Sequence, residues 1–299
     1  MEKLIPTLID GLNLGSVYAL VALGYTMVYG IAKMLNFAHG DVIMVGAYTL
    51  FVCITTLHLP LWLTFIIAIL VCSVLGFIVE KLAYKPLRGS SPLAVLITAI
   101  GVSYLLQNLA LLFANTKYGM DKQFFSSFLN LGSLKIGNVT ISGVDFLIWI
   151  TTAVIMVGMM LFIKKTKTGR AMLAVSEDKG AAQLMGVNVN KTISITFIIG
   201  SALAAIASIL FAAKYQFVES TMGSLFGIKA FAAAVFGGIG SIPGAVIGGV
   251  IIGIIEAFST AFLPGSVNAA SDGFAFVILI IMLVLKPTGL LGKQTTEKV

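Results

Sequence analysis

The sequence has 299 residues, of which 59% are hydrophobic and only 10% charged, with a net charge of +7. A soluble domain carries about 25% charged residues, so this composition excludes one and places the chain among polytopic membrane proteins. The positive charge does not indicate nucleic acid, because the lysines sit in short loops between apolar runs, where membrane orientation accounts for them.

Spanning helices need about 20 mostly apolar residues. In chain order the runs fall at 8–31, 36–57, 61–84, 93–114, 144–163, 191–213, 225–240, 244–263 and 273–286, which predicts an all-α protein of about nine spans. The seventh and ninth are short enough to be tilted, broken or re-entrant. The first run reads as a span and not a cleaved leader, since Asp10, Gly11, Asn13 and Gly15 interrupt its apolar core. Asn36, His39 and Asp41 open the second run and predict a helix break near its cytoplasmic end, with Asn36 satisfying free backbone; a gating role is the alternative. Cys53 and Cys72 lie inside apolar runs and read as buried thiols. Glu80, Lys81, Lys85 and Arg88 mark a solvated or headgroup-facing end of the third run. Asn13, Gln107 and Asn108 are polar groups in apolar runs, expected to bond between helices.

With the N-terminus outside, thirteen Lys and Arg residues fall on the cytoplasmic side and six on the other. The positive-inside rule therefore puts the C-terminus in the cytoplasm. Two loops are long. Residues 115–143 face outside, with a glycosylation pattern at Asn138 that has no meaning in a bacterium. Residues 164–190 are cytoplasmic. There Ser176 is expected to cap a short helix, Glu177 and Asp178 to complement its dipole, and Gly186 to end it. Ala182, Leu184 and Met185 are its apolar contact residues. So short a helix needs a surface to dock on. That surface is the bilayer, the chain's own bundle, or a groove on a cytoplasmic protein; the acidic helix start favours the protein partner over anionic lipid.

The run from Phe226 to Gly253 predicts a tight hairpin of membrane helices. Gly240, Gly244 and Gly248 recur every fourth residue, and Gly249 and Gly253 repeat the spacing, so a neighbouring backbone can approach closely. Lys229 and Glu256 stand at similar distances from the turn, roughly 20 Å at 1.5 Å per residue, and are expected to form an interhelical ion pair. No phosphate-binding loop, no metal-ligand spacing and no catalytic acid pair stands out. This chain is therefore expected to hold no cofactor and no metal, to be no enzyme and to bind no nucleic acid.

Five segments carry a resemblance. LNFAHGD at 35–41, EKLAYKPLRG at 80–89, TGRAMLAVSEDKGAAQLMGV at 168–187, IKAFAAAVFGGIGSIPGAVIGG at 228–249 and KPTGLLG at 286–292 occur in order and cover the chain nearly end to end. The chain resembles the H-type permease subunit of high-affinity branched-chain amino acid ABC importers. The resemblance implies one integral-membrane domain over 1–299, a fold similar to type II ABC importers, and a place in a bacterial inner membrane. It implies a second, M-type permease, two cytoplasmic ATPases and an extracytoplasmic substrate-binding protein as partners, with Ser176–Gly186 as the ATPase-coupling segment. A permease for urea, short amides or a sugar is the alternative within the class. A secondary carrier working alone is the alternative outside it.

Overall fold

The computed structural model describes residues 3–136, 139–263 and 271–292. Asn138, Lys293 and Lys298 lie outside the described residues. Long helices dominate: α1 (Leu4–Ala32), α2 (His39–Phe51, continuing as a π-turn over Val52–Thr56), α3 (Leu61–Val79, continuing through Glu80–Tyr84 and Lys85–Leu87), α4 (Pro92–Tyr118), α5 (Gly143–Lys165), α8 (Val189–Tyr215) and α10 (Ile242–Phe262). Among the described residues these seven are long and apolar enough to cross a membrane. Two shorter apolar helices, α9 (Met222–Gly237) and α11 (Ser271–Leu285), occupy the seventh and ninth runs. The chain is thus a mostly helical, multi-pass membrane protein.

Helices α1, α2 and α8 are largely enclosed, while α3, α4 and α5 present most of their residues outward. Apolarity all around each helix permits either fate, so neighbours rather than an amphipathic stripe decide which is central. Two short helices, α6 (Lys167–Glu177) and α7 (Lys179–Leu184), cross the end of the bundle where α1 finishes. The opposite, N-terminal face carries two small antiparallel ladders. Strand β2 (Ser133–Ile136) pairs with β3 (Val139–Ser142), and β1 (Gln123–Phe124) pairs with β4 (Phe217–Val218). The second ladder ties the long 115–143 loop to the α8–α9 connection. Asp121 reinforces the tie by accepting from Ser220 Oγ at 2.8 Å and from Tyr48 Oη at 3.0 Å.

The glycines of α10 divide between two neighbours. Gly244 and Gly248 lie against Gly237 and Ala233 of α9. Gly249 and Gly253 lie against α1, where a Cβ on Gly249 would stand 2.5 Å from the Ala19 Cα. Helix α1 answers with its own small face: a Cβ on Gly15 would meet the Val250 Cα at 2.7 Å, and one on Gly11 the Ile254 Cα at 2.8 Å. Backbones this close leave no room for side chains, which is how helices associate where lipid removes the hydrophobic drive between them. Gly240 does not belong to this face. It precedes α10, at φ +92°, and a Cβ there would meet nothing within 4 Å. Its positive φ in the turn, not packing, calls for glycine.

Segment 286–292 folds back onto that turn. Leu290 and Leu291 donate backbone N–H groups, each at 2.9 Å, to the Phe236 and Gly237 carbonyls that α9 leaves open at its end. Two segments that stand far apart in sequence thereby form one cap.

Candidate functional site

Among the described residues, chemistry-bearing side chains gather on the N-terminal face, in the middle of the bundle and on the loop face.

On the N-terminal face, α1, α8, α9 and α10 diverge around a funnel of about 510 Å³. Lys229 Nζ lies 2.8 Å from Glu256 Oε1 at its floor, so the structure brings these two sequence-predicted residues together. Tyr18 Oη donates to the other oxygen, Glu256 Oε2, at 2.9 Å. Both partners of the ion pair keep a little exposure, 8% and 13% of their side chains, and both line the funnel. Leu14, Phe211 and Phe226 supply apolar wall, and Asp10 and Glu219 stand nearer the mouth. Beside it, Lys214 bonds Asp145 Oδ1 at 2.7 Å, and Asn13 Nδ2 donates to the same oxygen at 2.8 Å. Asn13 thus bonds between helices, as its place in an apolar run predicts.

In the middle of the bundle stand Asn36, His39 and Asp41, all buried. The break is real: α1 ends at Lys33 in the left-handed conformation and α2 starts at His39. Its depth is not as predicted. The His39 ring packs edge-on to Tyr25 at 4.9 Å and fills the space beside Gly24 and Gly200. Gly24 lies roughly 12 Å back from the end of α1, and Gly200 roughly 16 Å into α8. Residues 33–38 therefore re-enter the bundle, and α2 begins near mid-depth instead of at the cytoplasmic end. Asn36 Oδ1 accepts from Tyr84 Oη at 2.8 Å, so its side chain holds α3 and not free backbone. Asp41 Oδ1 accepts from Gln107 Nε2 at 2.9 Å, and that amide reaches Ser224 Oγ at 2.6 Å, which joins α2, α4 and α9. Asn108 instead turns back to the Tyr104 carbonyl of its own helix, at 2.7 Å.

The loop face corrects the predicted helix over 176–186. Ser176 caps nothing: its hydroxyl donates to the Leu173 carbonyl inside α6, and Glu177 ends that helix. Asp178 is the cap, extended at φ −152° and accepting from Gly180 N at 2.7 Å and Ala181 N at 2.9 Å. A carboxylate one residue before a helix serves its orphan N–H groups, whereas a hydroxyl two residues further back does not reach them. Gly186 does end the segment, at φ +83°. Met172 and Val175 bury α6 against the bundle, and Ala182 buries α7, so Ala182 is already used within the chain. Leu184 and Met185 are 90% and 84% exposed. Lys179 Nζ donates to the Ala32 carbonyl at the end of α1 at 2.8 Å. Burial, with Arg88 and Lys33 close by, pulls its ammonium below the ordinary lysine range.

One cluster escaped prediction. Glu80 is not solvated: it is fully buried, bonded by Arg88 and by Ser194 Oγ, the latter at 2.7 Å. The signal was its spacing from Arg88 across a stretch ending in Lys-Pro, which turns the chain back on itself. The small face of α1 was legible too, as Gly11, Gly15 and Ala19 at intervals of four.

Comparison with known proteins covers the chain nearly end to end. The sequence model of the family described as "Branched-chain amino acid transport system / permease component" matches residues 7–283. The high-affinity branched-chain amino acid transport system permease protein BraD of Pseudomonas aeruginosa is 43% identical, over 98% of this chain and 97% of that one. The permease protein LivH of Escherichia coli is 42% identical, over 97% and 96% of the two chains. Among solved structures, PsaBC from Streptococcus pneumoniae in complex with Fab is similar in fold, with TM-score 0.51 at 15% identity, over 93% of this chain and 91% of that one.

Proposed function

The chain belongs to the family of branched-chain amino acid permease components, and on that premise we propose that it is the H-type permease subunit of an ATP-driven importer for branched-chain amino acids. It is a transport subunit and not an enzyme; bond chemistry belongs to separate ATPase chains. In this reading all nine apolar helices cross or enter a bacterial inner membrane as one domain, with the N-terminus outside. A second, M-type permease completes the pathway, two cytoplasmic ATPases drive it, and an extracytoplasmic binding protein delivers the substrate. The chain carries no cofactor of its own.

The observation that carries the reading is the pair Leu184 and Met185. A loop anchored by Met172 and Val175 holds two large apolar side chains almost wholly in the open. Such exposure at the tip of a held, capped helix suits insertion into a groove on a partner. The tie from Lys179 to the end of α1 offers a route by which motion at that groove reaches the helix whose small face packs on α10.

The test is uptake of labelled leucine by cells expressing this chain with its M-type permease, ATPases and binding protein. ATP-dependent leucine uptake is expected. In the double variant Leu184→Asp/Met185→Asp, charge in an apolar groove carries a large desolvation cost. Uptake and ATPase co-purification should both fall while the permease stays in the membrane. Unchanged uptake would remove the coupling role. Uptake without the ATPases would favour a secondary carrier.

A further inference from the structure

We propose that the floor of the funnel is a substrate subsite, in which Lys229 takes the carboxylate and Glu256 the ammonium of a zwitterionic amino acid with an apolar side chain. The inference rests on the function proposed above and adds a location and named contacts to it.

Three observations carry it. The first is the charge at the floor: a cation and an anion 2.8 Å apart, with Tyr18 orienting the carboxylate from the side. A free amino acid bears the same two charges a similar distance apart. It can insert between them and exchange one ion pair for two, so no net charge enters the bilayer at any point.

The second is shape. The funnel, about 510 Å³, falls within the size range of small-molecule sites. Along α1 it is lined by Thr7, Leu14 and Tyr18, which spans roughly 16 Å from mouth to floor at 1.5 Å per residue. The ion pair thus sits at the end of an open approach, and Leu14, Phe211 and Phe226 offer an aliphatic side chain its contact.

The third is that packing does not require the pair. Gly244 and Gly248 already hold α10 to α9, closer to the turn. A largely buried ion pair between helices stabilises no better than well-packed apolar residues. Charges retained where packing would suffice, and left with some exposure toward a cavity, point to a ligand.

The experiment uses the assembled complex in proteoliposomes with Thr260→Cys as a reporter. Thr260 is exposed at the funnel wall, and the native Cys53 and Cys72 are buried. The rate at which a membrane-impermeant thiol reagent labels the introduced thiol is read by mass spectrometry. Saturating leucine should slow labelling by at least about tenfold. Leucinol, which lacks the carboxylate, and 4-methylpentanoate, which lacks the amine, should not. Lys229→Met/Glu256→Met in the same background should abolish the protection. Should that variant not assemble, Glu256→Gln keeps the side chain's size and an acceptor oxygen for Lys229 while removing the negative charge, and should still weaken protection by about tenfold. No protection by leucine, equal protection by all three compounds, or protection that survives loss of the charges would each overturn the subsite. Binding-protein-dependent leucine uptake by the same complex is measured in parallel. Uptake without protection sinks the subsite alone, while absence of leucine uptake by the complex without the reporter sinks the proposed function.

Discussion

Arg88 closes on the carboxylate of Glu80 from eight residues further along the chain, where the end of α3 winds into a π-turn and then a short 3-10 turn. The carboxylate is almost wholly buried, the guanidinium partly open. Ser194 holds the second oxygen and Asn190 accepts from the same arginine, so the cluster binds α3 to the start of α8. A buried charge is tolerable only while its partner stays.

Arg88→Met should therefore destabilise the permease by about 3–5 kcal/mol, because it leaves Glu80 buried and unpaired. The double variant Glu80→Met/Arg88→Met should recover most of that loss, since two apolar groups there need no pairing. Thermal melting of the detergent-purified protein measures both. A double variant as unstable as the single one would show that the cluster acts through something other than charge.

The two glycine seams of α10 make separate predictions. Gly248→Leu should open the α9 contact and Gly253→Leu the α1 contact, and each should sharply lower the amount of assembled complex. Gly240→Ala should do much less, roughly 1–2 kcal/mol, because only its left-handed backbone is strained. Quantifying complex recovered from membranes distinguishes the two effects; normal assembly and uptake by Gly253→Leu would refute close packing as the role of that face.

Capping in the loop separates two neighbouring residues. Asp178→Ala should cost α7 about 1 kcal/mol by releasing the N–H groups of Gly180 and Ala181. Ser176→Ala should leave α7 unchanged, since that hydroxyl bonds within α6. Amide hydrogen exchange over residues 179–184 reads the difference, which should be faster exchange in the first variant alone.

At mid-depth, Gln107→Leu should be far more damaging than Asn108→Leu. Gln107 supplies a donor to the buried Asp41 and ties it to Ser224, and losing that donor costs about 1–3 kcal/mol. Asn108 satisfies only its own helix at an exposed position. Equal melting temperatures for the two variants would deny Asp41 its dependence on α4.

Sequence alone located the long apolar helices along the chain, though not the short helices of the loop over 164–190. Apolar length against bilayer thickness is a local property, and every run expected from it carries a helix within a few residues. It also made the pairing of Lys229 with Glu256 legible, because a hairpin turn converts separation along the chain into depth. Tertiary structure decided the rest. Which helices are central could not be read from runs that are apolar all around. The mid-depth start of α2 depends on residues 33–38 turning back into the bundle, which no local pattern encodes. Glu80 looked like a solvated helix end because its neighbours are basic; only the fold shows that α8 covers it. The small face of α1 gained meaning only opposite Gly249 and Gly253. In each case the deciding energy is a contact between distant segments, and spacing along one segment cannot specify its partner.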